Sequence, residues 1–294
     1  DDYNAMIRNE KLDAVFVCVP QFARGETEAA VIDAGLHMLV EKPLGLNLEG
    51  PDTMLQKIDS SESIVSVGYL LRYLDTIQRM KELVAERTVG MAVVMRFGRT
   101  PNITWYPYRN KSGGQLVDMV THQIDLLRYT IGEIDTVYAA AALRINNKNN
   151  PEYDIFDVTC LTLTFENGAV ANVAHNMISG HGVPAGARGM HIFCEDMTLS
   201  KGGGSRDPLE ILTKDGKQEV PEGKDPMLAQ AEAFVQAVAT GDRSLILSDY
   251  LSGLRTLAVT LAGEQSAQTN TPVKVMDLIR EHAPYAYKQI EAQG

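Results

Sequence analysis

His37-Met38-Leu39-Val40-Glu41-Lys42-Pro43-Leu44 decides how the rest of the chain is read. Three apolar residues in a row, rich in β-formers, read as a buried strand, and a charged pair followed by proline stops it. A lysine is thereby placed at the carboxyl end of a strand. In open α/β sheets ligands bind in the crevice outside those ends. An unpaired ammonium is too costly to bury, so Lys42 must face water, a carboxylate or a ligand. Pro43 restricts Lys42 to extended geometry and allows a cis bond between them. Taken alone, the stretch is equally a surface lysine ahead of a turn proline.

Working outward, 13–19 is a near-continuous apolar strand ended by Pro20, and 26–34 reads as a helix stopped by Gly35. Strand, helix and strand with short joints make a βαβ unit, which imposes parallel pairing and a right-handed crossover. A helix over 50–58 and a strand over 63–67 extend the same sheet. Gly68 to Tyr73 leaves its carboxyl end, so Arg72 is expected on the same crevice edge as Lys42. The spacing of Ile77, Met80, Leu83 and Val84 predicts an amphipathic helix. Near Gly90 alternation of helix and strand gives way to longer strands over 91–97, 136–145, 158–165, 169–176, 190–193 and 209–213. Glu166-Asn167-Gly168 is a hairpin turn signal between two of them. Helices over 227–239 and 250–265 and a strand over 273–275 close the chain. The expectation is α/β plus α+β: a partial Rossmann-like parallel sheet in 1–90, then a mostly antiparallel open-faced sheet domain in 91–294. A length of 294 residues suits two cores.

A formal charge of -11 argues against a nucleic-acid partner, because such binding rests on concentrated Lys and Arg. No apolar run reaches the roughly 18 residues of a membrane span. Cys18, Cys160 and Cys194 are far apart, form no CxxC pair, and read as buried small hydrophobes in a reducing, cytoplasmic setting. Lys201-Gly202-Gly203-Gly204-Ser205 reads as a loop; with no helix following, it is not a phosphate cradle.

Ser112-Gly113-Gly114-Gln115 precedes a helix expected over 116–129. On it Asp118, His122 and Asp125 share a face apart from the stripe of Leu116, Val120, Ile124 and Leu127. Asp118 and His122 could be a helical ion pair, worth a few tenths of a kcal/mol. A metal pair lacks an obvious third ligand, so no metal is expected. In the third reading His122 moves a proton while Asp118 orients it or contacts substrate.

Glu41-Lys42-Pro43 after a βαβ unit, followed by Gly113-Gly114-Gln115-x-x-Asp118-x-x-x-His122, resembles the Gfo/Idh/MocA family of NAD(P)-dependent oxidoreductases. Val19-Pro20-Gln21, Gly68 to Tyr73 and Gly253-Leu254-Arg255 extend the likeness over nearly the whole chain. The resemblance implies a dehydrogenase of a sugar, polyol or related cyclic alcohol, with NAD or NADP as cofactor and a homo-oligomer, dimer or tetramer, built through the C-terminal sheet. It implies that Lys42, His122 and Asp118 are catalytic, Asp118 also contacting substrate. Val19, Pro20, Gln21, Glu41, Lys42 and Arg72 would lie along the cofactor, and Trp105, Tyr108 and Arg109, with Tyr106, near the substrate. Two alternatives stay open: glycoside cleavage through transient oxidation, and a noncatalytic sensor. Arg24 stands where the family often has histidine. No G-x-G-x-x-G opening a helix occurs, and Asp1 falls in what resembles mid-domain. The first βα unit and second strand are thus expected to be missing and dinucleotide binding by these residues to be weak.

Overall fold

The computed structural model describes residues 2–148, 150–184 and 186–293. The chain begins with α1 (Tyr3–Asn9), β1 (Ala14–Val17), α2 (Glu26–Asp33), β2 (His37–Val40), α3 (Glu49–Asp59), β3 (Val65–Val67) and α4 (Asp75–Ala85). Among the described residues β1, β2 and β3 form a parallel sheet in that order, with Val17 beside Val40 and Val40 beside Val67. All three strands therefore end at one edge, which carries residues 18–21, 41–43 and 68–73.

A second, nine-stranded sheet among the described residues is built from β4 (Val89–Phe97), β5 (Ile134–Ala142), β6 (Val158–Phe165), β7 (Val170–Asn176), β8 (Gly189–Cys194), β9 (Met197–Gly202), β10 (Leu209–Thr213), β11 (Gly216–Val220) and β12 (Val273–Lys274). Its order is β11-β10-β9-β8-β4-β7-β6-β5-β12, antiparallel except where β4 runs parallel to β7. One face is covered: Ala92, Val94, Leu161, Leu163, Val173, Ile192 and Leu199 are buried under helices. The other leaves Met91, Tyr138, Val170 and Phe193 exposed.

The covering layer differs from expectation. After the short α5 (Arg109–Ser112), the single helix expected over 116–129 is two pieces: α6 (Gln115–Asp118) and α7 (Thr121–Thr130). Both Met119 and Val120 donate to the Gln115 carbonyl, so the ladder slips after α6 and restarts at Val120, which accepts from Ile124. Asp118 and His122 consequently sit on two helices, and their i, i+4 pairing does not form. After α8 (Pro226–Thr240) and α9 (Tyr250–Thr269) come α10 (Val275–His282) and α11 (Pro284–Glu291), which sequence patterning had missed along with β9 and β11. Alternation in β9 is broken by Lys201 at an inward position, and the five residues of β11 carry Lys217, Gln218 and Glu219, so neither presents a sustained apolar signal.

The strands of the small sheet all precede those of the large one, yet helices from the second half pack back onto the small sheet. Helix α8 returns to the small sheet, where Phe234 packs edge-on to Phe16 with centroids 5.5 Å apart and Gln230 donates to the Val67 carbonyl at 2.8 Å. Helix α9 passes behind β3 at a glycine: a Cβ on Gly253 would lie 2.9 Å from Val67 Cγ2, so a larger residue would push the helix off the strand. Although α9 is long and apolar enough to cross a membrane, Leu254, Leu257, Ala258, Val259 and Ala262 are all buried in the protein core. The cysteines correct another expectation. Cys160 is exposed because strand alternation turns it away from the core, Cys18 is exposed just past the end of β1, and Cys194 is half-buried against the core edge.

Candidate active site

Lys42 leaves the end of β2 with its bond to Pro43 in the cis form. Its ammonium donates to the Asp118 main-chain carbonyl at 2.9 Å and lies 3.6 Å from the Asp118 carboxylate. The backbone behind it is held by Arg24, just before α2. That guanidinium donates from Nε to the Val19 carbonyl at 3.0 Å, from one terminal nitrogen to the carbonyls of Glu41 and Pro43, and from the other toward that of Lys42 at 3.4 Å. Four carbonyls at the ends of β1 and β2 thus share one cation, and the position that departs from the family pattern becomes a clamp. Beneath it Glu28 is buried, with Oε1 unpartnered, and burial pushes its carboxyl up to about 7 against the pull of Arg24 and the Gly25 N–H.

Asp118 is delivered by the Gly113-Gly114 turn. Gly113 at φ 73° and Gly114 at φ 91° occupy left-handed backbone, and a Cβ on Gly114 would meet Glu264 Oε1 at 2.8 Å. His122 opens α7 against the wall of Tyr69, whose ring meets the imidazole edge-on at 6.0 Å and whose hydroxyl is fixed to Thr121 at 2.8 Å. No hydrogen bond reaches the imidazole among the described residues. Nδ1 is enclosed, leaving Nε2 as the nitrogen with access to open space. Burial first, then the charges of Lys42 and Arg96, hold the imidazole at about 3, so it is neutral at physiological pH and able to accept a proton.

The big sheet supplies a polar floor that sequence reading missed. Arg96 on β4 and His175 on β7 are paired in register, and an Arg96 terminal nitrogen lies 3.1 Å from His175 Nε2. Since guanidinium can only donate, Nε2 accepts and Nδ1 carries the proton, given to the Gln115 side-chain oxygen. His175 is buried and likewise held at about 3, by burial and then Arg96. Tyr106 is fully buried with its hydroxyl unpartnered, and burial and the Asp118 charge raise it well above the usual tyrosine range. The signal available in sequence was the polar residue at an inward position in each strand, Arg96 two residues after Val94 and His175 two after Val173. Interior positions otherwise hold aliphatic residues, so a charged one there calls for a partner.

Of the other expected residues, Val19, Pro20 and Glu41 stand half-buried at the strand-end crevice. Gln21 is buried and donates to the Ser112 carbonyl at 2.9 Å, which ties the loop after β1 to α5. Arg72 is corrected: instead of reaching the crevice it is buried, bidentate to Asp125 at 2.8 and 2.6 Å, with further bonds to the Leu247 carbonyl and Ser252. Asp125, grouped with His122 by spacing, is thereby spent on the contact of α7 with the small sheet. Tyr108 and Arg109 are also engaged elsewhere, Tyr108 with Glu152, and Arg109 with Glu264 and Asp154. Trp105 packs edge-on to Phe22 at 5.6 Å, joining the loops of the two halves.

Two family models match this chain. One, described as an oxidoreductase family with an NAD-binding Rossmann fold, covers residues 1–69; the other, the GFO/IDH/MocA C-terminal domain, covers 77–200. The chain belongs to the Gfo/Idh/MocA family. Among its relatives in that family is myo-inositol 2-dehydrogenase of Thermotoga maritima, 25% identical over 293 residues, spanning 95% of this chain and 84% of the relative. Levoglucosan dehydrogenase, solved with NADH and levoglucosan, matches in fold with a TM-score of 0.80 at 19% identity, over 93% of this chain and 82% of that one. Aldose-aldose oxidoreductase from Caulobacter crescentus, solved with glycerol, gives 0.81 at 19% identity, over 92% and 82%. The two segments that carry the resemblance in the sequence, Glu41-Lys42-Pro43 and Gly113-Gly114 with Asp118, meet at the Lys42 ammonium.

Proposed function

We propose that this Gfo/Idh/MocA chain is an NAD(P)-dependent dehydrogenase that oxidises a CH–OH group of a sugar, polyol or related cyclic alcohol. One observation carries the reading: Lys42, from the end of β2, is seated on Asp118, four residues before an imidazole that is neutral and unbonded. Oxidising an alcohol needs a place for a hydride and a place for a proton, and a cation favours the developing alkoxide. The nicotinamide supplies the hydride acceptor when bound. Lys42 holds the alcohol oxygen and stabilises its negative charge, with Asp118 steadying the ammonium. His122 Nε2 takes the proton, and Tyr69 with Thr121 keeps the ring in place.

The residues present fit the nicotinamide end of the cofactor. Val19, Pro20, Glu41 and Lys42 line adjacent carboxyl ends of parallel strands, and Gly68 leaves room there: its Cβ would lie 2.8 Å from Glu41 Oε2. The inositol and levoglucosan dehydrogenases support the substrate class. Exposed Met91, Tyr138, Val170 and Phe193 on one sheet face support a homo-oligomer through that face. Three unpaired thiols suit a cytoplasmic enzyme.

The test follows NAD(P)H absorbance with a panel of inositols, hexoses and anhydro sugars. Lys42→Met and His122→Asn should each lower kcat by about 100-fold or more, the scale of lost electrostatic and proton-transfer help. Unchanged turnover in both variants rejects the assignment.

A further inference from the structure

Beside the proposed reactive centre, next along α7 from His122, lies a cavity of about 110 Å³ lined by Arg96, Gln123, Arg188 and residues 201–205. We infer that it is a subsite for an anionic oxygen group, carboxylate or phosphate, borne by the polyol substrate. The inference rests on the dehydrogenase reading for the identity of the reactive end and goes beyond it in naming the substrate's charge.

Two guanidiniums define the site. Met95 is paired with Gly189 across β4 and β8, and the next residue beyond each, Arg96 and Arg188, lines the cavity, Arg188 from its solvent-exposed rim. Like charges on neighbouring strands repel. Among the described residues no carboxylate oxygen comes within 4.0 Å of either one, and Asp118, whose charge acts on Arg96, is engaged with Lys42. Arg96 spends one terminal nitrogen on His175, which leaves donors on both side chains for a third party. Leu71, Leu74, Ile77 and Leu126 make the facing wall apolar. There a neutral hydroxyl gains little, whereas an oxyanion gains paired donors in a weakly screening pocket.

The glycine-rich segment completes the wall with its charges turned to its own backbone, the Asp207 carboxylate accepting from the Gly204 N–H at 2.7 Å. Lys201 is buried and its ammonium bonds the carbonyls of Gly204, Ser205 and Asp207, at 3.3, 3.5 and 2.7 Å, so it orders its own loop. Gly203 lets that loop lie on Arg188, since a Cβ there would come within 2.7 Å of the arginine Cβ. The run of glycines thus serves close packing beside an anion site whose donors come from β4 and the start of β8.

Calorimetric titration of the full chain with glucitol, gluconate and glucitol 1-phosphate, three six-carbon polyols differing only at C1, tests this directly. At least one acidic probe should bind about tenfold or more tightly than glucitol, with the two acidic arms telling carboxylate from phosphate. That ratio should shrink with added salt, and both Arg188→Gln and Arg96→Gln should bring it below about threefold. Equal binding of the three probes, no binding of either acidic one, or an unchanged ratio in Arg188→Gln overturns the subsite. Binding needs no hydride transfer. An acidic preference without NAD(P)H formation from any polyol, at NAD(P) raised until its binding saturates, would sink the dehydrogenase reading and leave the subsite standing, and the reverse result would sink the subsite alone.

Discussion

Replacing Glu28 by glutamine should change how stability depends on pH. The carboxyl is 2% exposed, sits under Arg24, and has one oxygen with no partner. Its proton is held to about 7 in the fold, against 4.5 for an ordinary glutamate, because burial outweighs Arg24 and the Gly25 N–H. Between those values the native chain binds the proton and the unfolded chain does not. The contribution is therefore fully present below 4.5 and lost as pH rises through 7. At about 1.4 kcal/mol per decade of proton activity, the loss is about 3 kcal/mol by pH 8. Glutamine cannot titrate, so Glu28→Gln should lack this decline. Urea unfolding at pH 5 and pH 8 for both chains measures it: between these pH values the natural chain should lose about 2–3 kcal/mol relative to the variant. All other titrating groups act on both chains and cancel. Parallel pH profiles, or a variant that is selectively weaker at pH 8, would show that the carboxylate is ionised and paired with Arg24, and would refute the reasoning.

Arg24→Ala should free the carbonyls of Glu41, Lys42 and Pro43 and lower kcat by about 10–100-fold, the cost of a misplaced catalytic group, with Lys at that position recovering part of it. Circular dichroism and thermal unfolding would separate this from loss of fold. His122 and His175 are both held at about 3, against 6.5 when unfolded, so each removes stability as pH falls below 6.5. His175→Gln should make the acid slope shallower by about 1.4 kcal/mol per pH unit between about 6 and 4, as read by unfolding across that range, and kcat/KM of the natural chain should show no limb near 6.5. Asp125→Ala leaves Arg72 buried and uncompensated, which should cost about 3–5 kcal/mol in denaturant unfolding, while a double Arg72→Met, Asp125→Leu replacement should cost much less.

Some of this molecule was legible along the chain. The run of apolar residues stopped by Glu41-Lys42-Pro43 announced a strand with a lysine at its working end, and the βαβ order made the sheet parallel. Gly113-Gly114 announced a turn before Asp118 and His122. Such features are local: period, turn chemistry and the cost of burying a charge act within a few residues. The partners were not local. Lys42 meets Asp118 across 76 positions and Arg72 meets Asp125 across 53, and no pattern in either segment says which acid takes which base. Spacing placed Asp118, His122 and Asp125 on one face of one helix. A slipped turn at Met119 and Val120 sent the first to Lys42, left the second unbonded, and buried the third against Arg72. Strand register likewise gathered Arg96 and His175 from two strands into one floor, since only the assembled sheet decides which residues stand side by side.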